Sequence, residues 1–376
     1  MNSGENLYVW QQTDWPNWRF DGDQLTPLLP QVHQALGQLT GRMRDQGLGS
    51  QGQASLLALT EDVLKTSEIE GELLDPAAVR SSIARRLGVD IGAIAPADRH
   101  VEGVVAMVLD ATRGFAQPLT VDRLSGWHAA LFPTGYSGLS QINAGTWRND
   151  AQGPMQVVSG DMGRRRVHYQ APPAHWLDAE MLAFLAWLEG KQTLDPLVKA
   201  GLAHLWFVTI HPFDDGNGRI ARAIGDMALA RADQHTQRFF SLSAQIQKER
   251  RQYYDLLEKT QKGNLDATAW LIWFLGCLLR ALHDADHTLT SVLSKGKFWQ
   301  RWSQTPLNAR QIKVLNRMLD GFEGKLTNKK WAALTKSSSD TALRDITDLL
   351  QKGLLTKTNG IGRGSSYELV LSPHLP

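Results

Sequence analysis

The sequence predicts a mainly α protein with one β-hairpin, ending in a separate small unit of three helices and a two-stranded wing. Three observations carry that reading. The stretches 197–210 and 220–230 are apolar on nearly every face, which marks buried central helices. Met155 to Ser159, Gly160-Asp161-Met162-Gly163 and Arg165 to Tyr169 form the one strong strand-turn-strand signal. The charge is also uneven: Gly296 to Pro376 holds 13 Lys and Arg against 6 Asp and Glu, while the first 295 residues hold 27 against 32. A basic tail therefore follows an acidic body.

Along the chain, Leu56 to Glu70 carries apolar residues at helical spacing and stops at Gly71. Asp75-Pro76 is an N-cap followed by a helix-starting proline. In the tail, Gln311 to Leu319 and Lys329 to Leu334 read as helices, and Thr341 to Lys352 as a third behind the cap cluster Ser337-Ser338-Ser339-Asp340. Leu354-Leu355 and Tyr367 to Leu371 bracket Asn359 to Gly364 like two strands of a wing. The expected division is 1–105, a helical region; 106–292, a central domain; and 293–376, the tail.

Length and composition narrow the class. With 376 residues, 42% apolar and 21% charged, the chain is globular and neither disordered nor collagen-like. The single Cys277 excludes an internal disulfide framework and a thiolate-built zinc site, and fits a reducing compartment. The N-terminus lacks the basic start and apolar core of a secretory signal. The most apolar stretch, Ala269 to Leu279, falls short of the roughly 20 residues that cross a bilayer. A cytoplasmic protein without membrane contact is expected.

The chemistry sits between the two apolar helices, in His211-Pro212-Phe213-Asp214-Asp215-Gly216-Asn217-Gly218. Gly216-Asn217-Gly218 leads into a helix, so free N–H groups and the positive dipole end face the loop, an anion cradle. Arg219 and Arg222, three apart on that first turn, suit a polyphosphate better than a single carboxylate. Asp215 supplies a hard oxygen where Mg²⁺ would sit beside phosphates. His211 is the nearby group able to take a proton from a hydroxyl close to neutrality. Each part alone is commonly only a cap or a turn; the whole string in fixed order is not.

His211 to Arg222 matches the motif H-x-F-x-[D/E]-G-N-G-R-x-x-R at every defined position, so the chain resembles the Fic family. The likeness extends to Gly145-Thr146-Trp147-Arg148, to the hairpin, which is similar to the family's target-docking flap, to Pro172-Pro173, and to the opening YVWQQTDWPNWRFD. The resemblance implies a Fic helical core and a protein adenylyltransferase that moves AMP from ATP to a Ser, Thr or Tyr hydroxyl. His211 would be the general base, Asp215 the Mg²⁺ ligand, Gly216, Asn217 and Gly218 phosphate binders, and Arg219 and Arg222 would steady the departing phosphates. A target protein would dock on the 155–169 flap, and self-modification and a homo-oligomer are both open. Tyr253 and Tyr254 either border the adenine or belong to the core.

Thr66-Ser67-Glu68-Ile69-Glu70-Gly71 is similar to the family's inhibitory motif, [S/T]-x-x-x-E-[G/N]. Glu70 falls at a helix C-terminus, where the dipole disfavours an anion by roughly 0.3–1 kcal/mol, and the resemblance nominates Arg222 as its cation. The other reading makes Glu68, Glu70 and Glu72 a solvated acidic patch. The tail resembles a winged helix-turn-helix, which either binds DNA through its third helix and Arg363 or contacts protein. Asp340, Asp345 and Asp348 on that helix favour weak, unspecific DNA binding at most. Alternatives to AMP transfer are hydrolytic removal of AMP at the same site and a DNA-binding regulator whose core senses nucleotide.

Overall fold

The computed structural model describes residues 8–92, 95–160, 166–191, 193–319, 325–358 and 365–371. It is mainly helical and divides into two compact units, Met1–Ala285 and Asp286–Pro376. The first opens with a short 3-10 turn and runs through α1 (Gly22–Leu25), α2 (Leu29–Arg44), α3 (Leu48–Ile69), α4 (Pro76–Leu87), α5 (Arg99–Arg113) and α6 (Val121–Leu131). A minimal hairpin, β1 (Tyr136–Ser137) with β2 (Ser140–Gln141), precedes the longer β3 (Gln156–Ser159) and β4 (Arg166–Gln170). Then come α7 (Leu177–Glu189), α8 (Pro196–Ile210), α9 (Asn217–Asp233), α10 (Leu242–Lys248), α11 (Arg250–Gln261) and α12 (Thr268–Arg301), whose residues from Asp286 onward belong to the second unit.

Local chemistry explains the boundaries. Asp75 caps α4 by accepting from the Ala77 N–H, and Asp195 caps α8 by accepting from Leu197, each with proline next in line. Helix α3 begins eight residues before the apolar period at Leu56 becomes visible. Gly49, Ser50, Gln51, Gly52 and Gln53 show no apolar spacing, but elongating a nucleated helix is far easier than starting one. The core lies along α8 and α9, where Phe207, Ile210, Ile220, Ile224 and Met227 are buried. Trp270 of α12 donates to the Gly201 carbonyl at 2.8 Å and fixes a third layer against α8.

The long hairpin is antiparallel, pairing Gln156 with Gln170 and Val157 with Tyr169. A register shift after Val157 then pairs Val158 with Val167 and Ser159 with Arg166, leaving His168 as the extra residue of a bulge. Residues 161–165 of the expected turn lie outside the described residues. The N-terminal segment props the anchored end: Trp10 donates its indole N–H to the Gln170 carbonyl at 2.8 Å, and Tyr8 meets Tyr169 edge-on at 5.3 Å.

The second unit holds α13 (Ala309–Leu319), β5 (Leu326–Thr327), α14 (Asn328–Thr335), α15 (Ser339–Gln351), β6 (Leu355–Thr358) and β7 (Ser366–Leu369). Its antiparallel sheet runs β5-β7-β6 over a core of Val314, Leu315, Trp331, Ile346 and Leu349. Strand β5, at two residues, is too short to show alternation in the sequence. The expected acidic face of α15 is corrected. Asp345 is buried and held by Arg310 and Asn308, whereas Asp348 stays 41% exposed at its side chain while it accepts from Gln311 of α13 and from Lys352. The wing tip with Arg363 lies outside the described residues.

Helices α5 and α6 meet where Gly103 leaves room for the Ala130 carbonyl, into which any Cβ at 103 would run. Gly103→Ala should destabilise the chain by about 1–3 kcal/mol. Gly37→Ala in α2, where a new Cβ meets nothing within 4 Å, should be neutral or stabilising. Urea midpoints check the pair; equal effects would show that the α5–α6 approach is not as close as described.

Candidate active site

Helix α8 hands the chain to the loop through His211, whose backbone is left-handed at φ 53°, ψ 56° and whose N–H still reaches the Phe207 carbonyl at 3.0 Å. Non-glycine residues adopt this conformation uncommonly, histidine more readily than most, and here the packed loop holds it. The ring Nδ1 lies 3.1 Å from the Val208 carbonyl, so it carries the proton and leaves Nε2 as an open acceptor. Burial pushes the imidazole down to about 4, against an opposing lift from the Val208 carbonyl and with further help from Arg148. At neutral pH it is an uncharged base.

The surroundings are specific. Asn217 accepts the Phe213 N–H at 3.0 Å and returns its amide to the Phe213 carbonyl at 2.8 Å, clipping the loop to the start of α9. Phe213 stacks on His128 at 4.1 Å with the rings 11° apart. Arg148, 3% exposed, donates to the His211 carbonyl at 2.8 Å, to the Pro172 carbonyl at 2.6 Å and to Asp150 at 2.9 Å. Its own N–H reaches the Pro212 carbonyl at 2.9 Å. One guanidinium thus fastens the loop to the foot of the hairpin. Tyr169 adds a second bolt, its hydroxyl donating to the Thr209 carbonyl at 2.7 Å.

Helix α9 starts at Asn217 behind Gly216, which is left-handed at φ 76°. A Cβ on Gly218 would collide with Glu70 Oε1, so the glycine floor of this nest holds a carboxylate delivered from the end of α3. Arg222 donates to that Glu70 oxygen at 2.6 Å, and to the Thr66 hydroxyl at 2.7 Å and carbonyl at 2.9 Å. Arg219 donates to Glu72 at 2.6 Å with its guanidinium over the Phe132 ring. Both arginines are at most 2% exposed, yet Arg222 Nη1 and Arg219 Nε have no hydrogen-bond partner among the described residues. Burial works against the Arg222 charge, but Glu70 outweighs it and raises its pKa.

Asp215 accepts from the Ser137 hydroxyl and from the Gly216 N–H. No group of three or more His, Cys, Asp or Glu that could hold a metal occurs among the described residues. The two tyrosines separate. Tyr254 is half-buried, its hydroxyl 3.4 Å from Glu70 and its pKa raised to about 12 by burial and by Glu70. Tyr253 is 1% exposed, its hydroxyl 3.0 Å from His204 Nε2; it is core, and the adenine-border assignment fails for it. Sequence reasoning missed Glu72 as a partner of Arg219, and His100, which lies 3.2 Å from Glu72. It also missed His128 and the triple role of Arg148. Only the spacing of Glu70 and Glu72 hinted at two partners for two arginines.

A base, a glycine-floored nest at a helix start and two buried arginines on its first turn define the class. The Fic/DOC family profile matches residues 118–229, and that of a domain of unknown function, DUF4172, matches residues 8–89. The chain carries a Fic/DOC domain. A protein adenylyltransferase Fic from Nematostella vectensis is 38% identical over 102 residues, 26% of this chain and 22% of that protein. A uridine 5'-monophosphate transferase from Xanthomonas campestris is 31% identical over 132 residues, 30% of this chain and 21% of that protein. The chain spans about a fifth of the length of such relatives. A Fic family protein from Desulfovibrio desulfuricans shares the fold with a TM-score of 0.55 at 19% identity, over 92% of this chain and 95% of that one. A Fic-domain signalling protein from Bacteroides thetaiotaomicron does so at 0.52 and 18%, over 69% and 98%. No helix among the described residues is long and apolar enough to cross a membrane.

His128 and His211 are pushed down to about 4 and His204 to about 3, in each case first by burial. Unfolded histidine titrates near 6.5, so between roughly pH 6.5 and 4 the unfolded chain binds more protons. Stability must therefore fall as pH drops through that window, by about 1–2 kcal/mol per histidine at pH 5, and be insensitive to these groups above pH 7. Urea unfolding at pH 7, 6 and 5, with NMR titration of the imidazoles, checks this; imidazoles that charge at pH 6 in the folded chain would contradict it.

Proposed function

We propose that this chain transfers a nucleotidyl group, AMP from ATP, to a protein hydroxyl, and that Glu70 holds the reaction back. The observation that carries the reading is the nest itself: a carboxylate lies on the glycine floor while unpaired donors of Arg222 and Arg219 remain buried beside it. Those donors fit phosphate oxygens in the place of the carboxylate. The backbone N–H groups of Gly218 and Arg219 belong to the same cradle, whereas the Asn217 side chain is spent on clipping the loop.

In this reading the target segment lies along the hairpin, main chain to main chain, and presents a hydroxyl to His211 Nε2. The neutral imidazole takes the hydroxyl proton as the oxygen attacks the α-phosphorus, and pyrophosphate departs against Arg219 and Arg222. Mg²⁺ would be held by Asp215 and would neutralise charge on the leaving phosphates; one carboxylate suits an ion bound mostly through phosphate and water. Arg148 keeps the hairpin foot and His211 in one frame, so base and hydroxyl meet without a search. While Arg222 grips Glu70, it is unavailable to the γ-phosphate. The names of the relatives support nucleotide transfer and leave the base open between adenine and uracil; Tyr254, its hydroxyl 3.4 Å from Glu70, would line it.

The C-terminal unit, read as a winged helix, has a second function within reach. With Asp345 buried, one of the three acidic side chains of α15 is withdrawn from the surface that exposes Arg344 and Thr347, which leaves duplex DNA as a partner to test.

Mass analysis of the chain and a mixed protein pool, incubated with Mg²⁺ and ATP or UTP, tests the main reading. Glu70→Gly should raise transfer at least tenfold, and His211→Ala in that background should lower it by about 10²-fold or more with nucleotide binding retained. Equal transfer by wild type and Glu70→Gly would remove the brake, and equal loss of binding and rate in His211→Ala would make that residue structural. A DNA titration of the full chain at rising salt decides the second function, since phosphate contacts demand a steep fall in affinity.

A further inference from the structure

The carboxylate that holds Arg219 is itself shared. Glu72 Oε2 accepts from Arg219 Nη1 at 2.6 Å and lies 3.2 Å from Nε2 of His100, at the start of α5. The other ring nitrogen, Nδ1, lies 3.1 Å from the Leu131 carbonyl at the end of α6. A carboxylate and a carbonyl only accept, and a neutral imidazole has one N–H, so both contacts are hydrogen bonds only when His100 is an imidazolium. Glu72 holds the imidazole above its ordinary pKa, against burial and the Arg219 charge. The Glu72 carboxyl is held below its own by His100 and, after it, Arg219, which outweigh burial. The groups that face the ring are thus Glu72 from the end of α3, Arg219 from α9 and the Leu131 carbonyl from α6. Asp98 is spent on capping α5, and Glu102 on Arg85 and Arg86 of α4.

Glu72 and Glu70 obstruct a nucleotide differently. Glu70 lies on the glycine floor, where a Cβ on Gly218 would meet it, and blocks the nest by its volume. Glu72 needs only to release one corner of a guanidinium, and its side chain, 37% exposed, already touches the group that can receive it. A structural ion pair would be complete with Arg219 and Glu72, and leaves unexplained a second cation on the same oxygen.

We propose that Glu72 is a second brake on nucleotide binding, released by passing from Arg219 to His100, so that a proton on His100 favours the nucleotide. The inference rests on the nucleotide-transfer reading above. Without a nucleotide, Arg219 and the imidazolium compete for one carboxylate oxygen and repel each other. A phosphate on Arg219 ends the competition and offsets its charge; Glu72 then pairs with His100 alone, and His100 binds its proton more tightly. By linkage, nucleotide binding takes up a proton. Affinity is therefore greatest at pH values where His100 is charged in both states, and falls as pH rises through its titration.

The test uses the full-length Glu70→Gly protein, so that Glu70 does not mask the second brake, with Mg²⁺ and an ATP analogue carrying a methylene between the α- and β-phosphates, which binds without transfer. Calorimetry from pH 7 to 9 should show affinity falling by about threefold or more, with a proton taken up on binding, read from heats in buffers of different ionisation enthalpy. His100→Gln in that background should show no such fall and should bind at pH 7 as its parent binds at pH 9. Glu72→Gln should bind more tightly than its parent at pH 9, by about threefold or more. The same pH course with and without His100 overturns the exchange, and weaker binding by Glu72→Gln makes that carboxylate a support for Arg219 and overturns the brake; in both cases the transferase reading stands. No binding by any of these proteins overturns that reading as well. NMR titration of the His100 imidazole in the parent protein needs no further substitution: its pKa should rise when the analogue is added, and an unchanged pKa overturns the exchange.

Discussion

Two guanidinium groups buried to within 2% of full exclusion stand on the first turn of α9, and the architecture around the site follows from the need to neutralise them. An ion taken from water into protein costs several kcal/mol unless it is paired and hydrogen-bonded. A nucleotide can meet that demand only while bound. The chain meets it permanently by ending α3 at the nest, so that Glu70 and Glu72, two residues apart across the turn at Gly71, each reach one arginine at 2.6 Å. The helix end is a poor place for a carboxylate by its own dipole and a good one beside Arg222. In the proposed reading, the contact that makes the buried arginines tolerable in the free protein is also the one that a phosphate would displace.

The second constraint is rigidity where the chain has least secondary structure. The loop between α8 and α9 contains a left-handed histidine and a left-handed glycine. It is held by side-chain clips rather than by a ladder. Asn217 ties it internally, Arg148 ties it to the hairpin, and Phe213 seats it between His128 and Trp147. The Asn217 and Arg148 clips satisfy backbone groups that would otherwise be orphaned. His211 therefore keeps one tautomer and one orientation before any substrate arrives.

How much of this was legible in the sequence depended on how far apart the cooperating residues lie. The loop was legible because base, carboxylate, glycines and arginines are contiguous, and helix starts have local grammar. The helices α8 and α9 were legible from unbroken apolar runs. Glu70 was found through its motif, but Glu72 was read only as a possible solvated neighbour, because its partner is 147 residues away. Tyr253 and Tyr254 look alike in sequence; adjacent helical residues point about 100° apart, so one enters the core and the other the site. The inward turn of Asp345 needed Arg310 and Asn308 on another helix, and a composition count along α15 alone places it with the repelling charges. Ser159, His168 and Glu258 meet across two strands and a distant helix through a bulge, and no periodicity announces a bulge.

The carboxylates at the nest and those at the hairpin belong to separate systems. Glu70 and Glu72 act on the arginines from α3, at the nest. Glu258 acts on the hairpin from α11, through Arg166 and His168. Neither set shares a residue with the other, so losing a carboxylate at the nest leaves the hairpin's anchors intact. The hairpin foot is held by Tyr169, Arg148 and Trp10 and its free end by Glu258, so in the proposed reading a docking segment would meet an edge held at both ends. Ordering entropy that a mobile strand would surrender on binding has been lost at folding instead. In that reading, affinity for an extended segment would come from main-chain pairing, which requires register and little sequence, and the choice of hydroxyl would fall to what reaches His211.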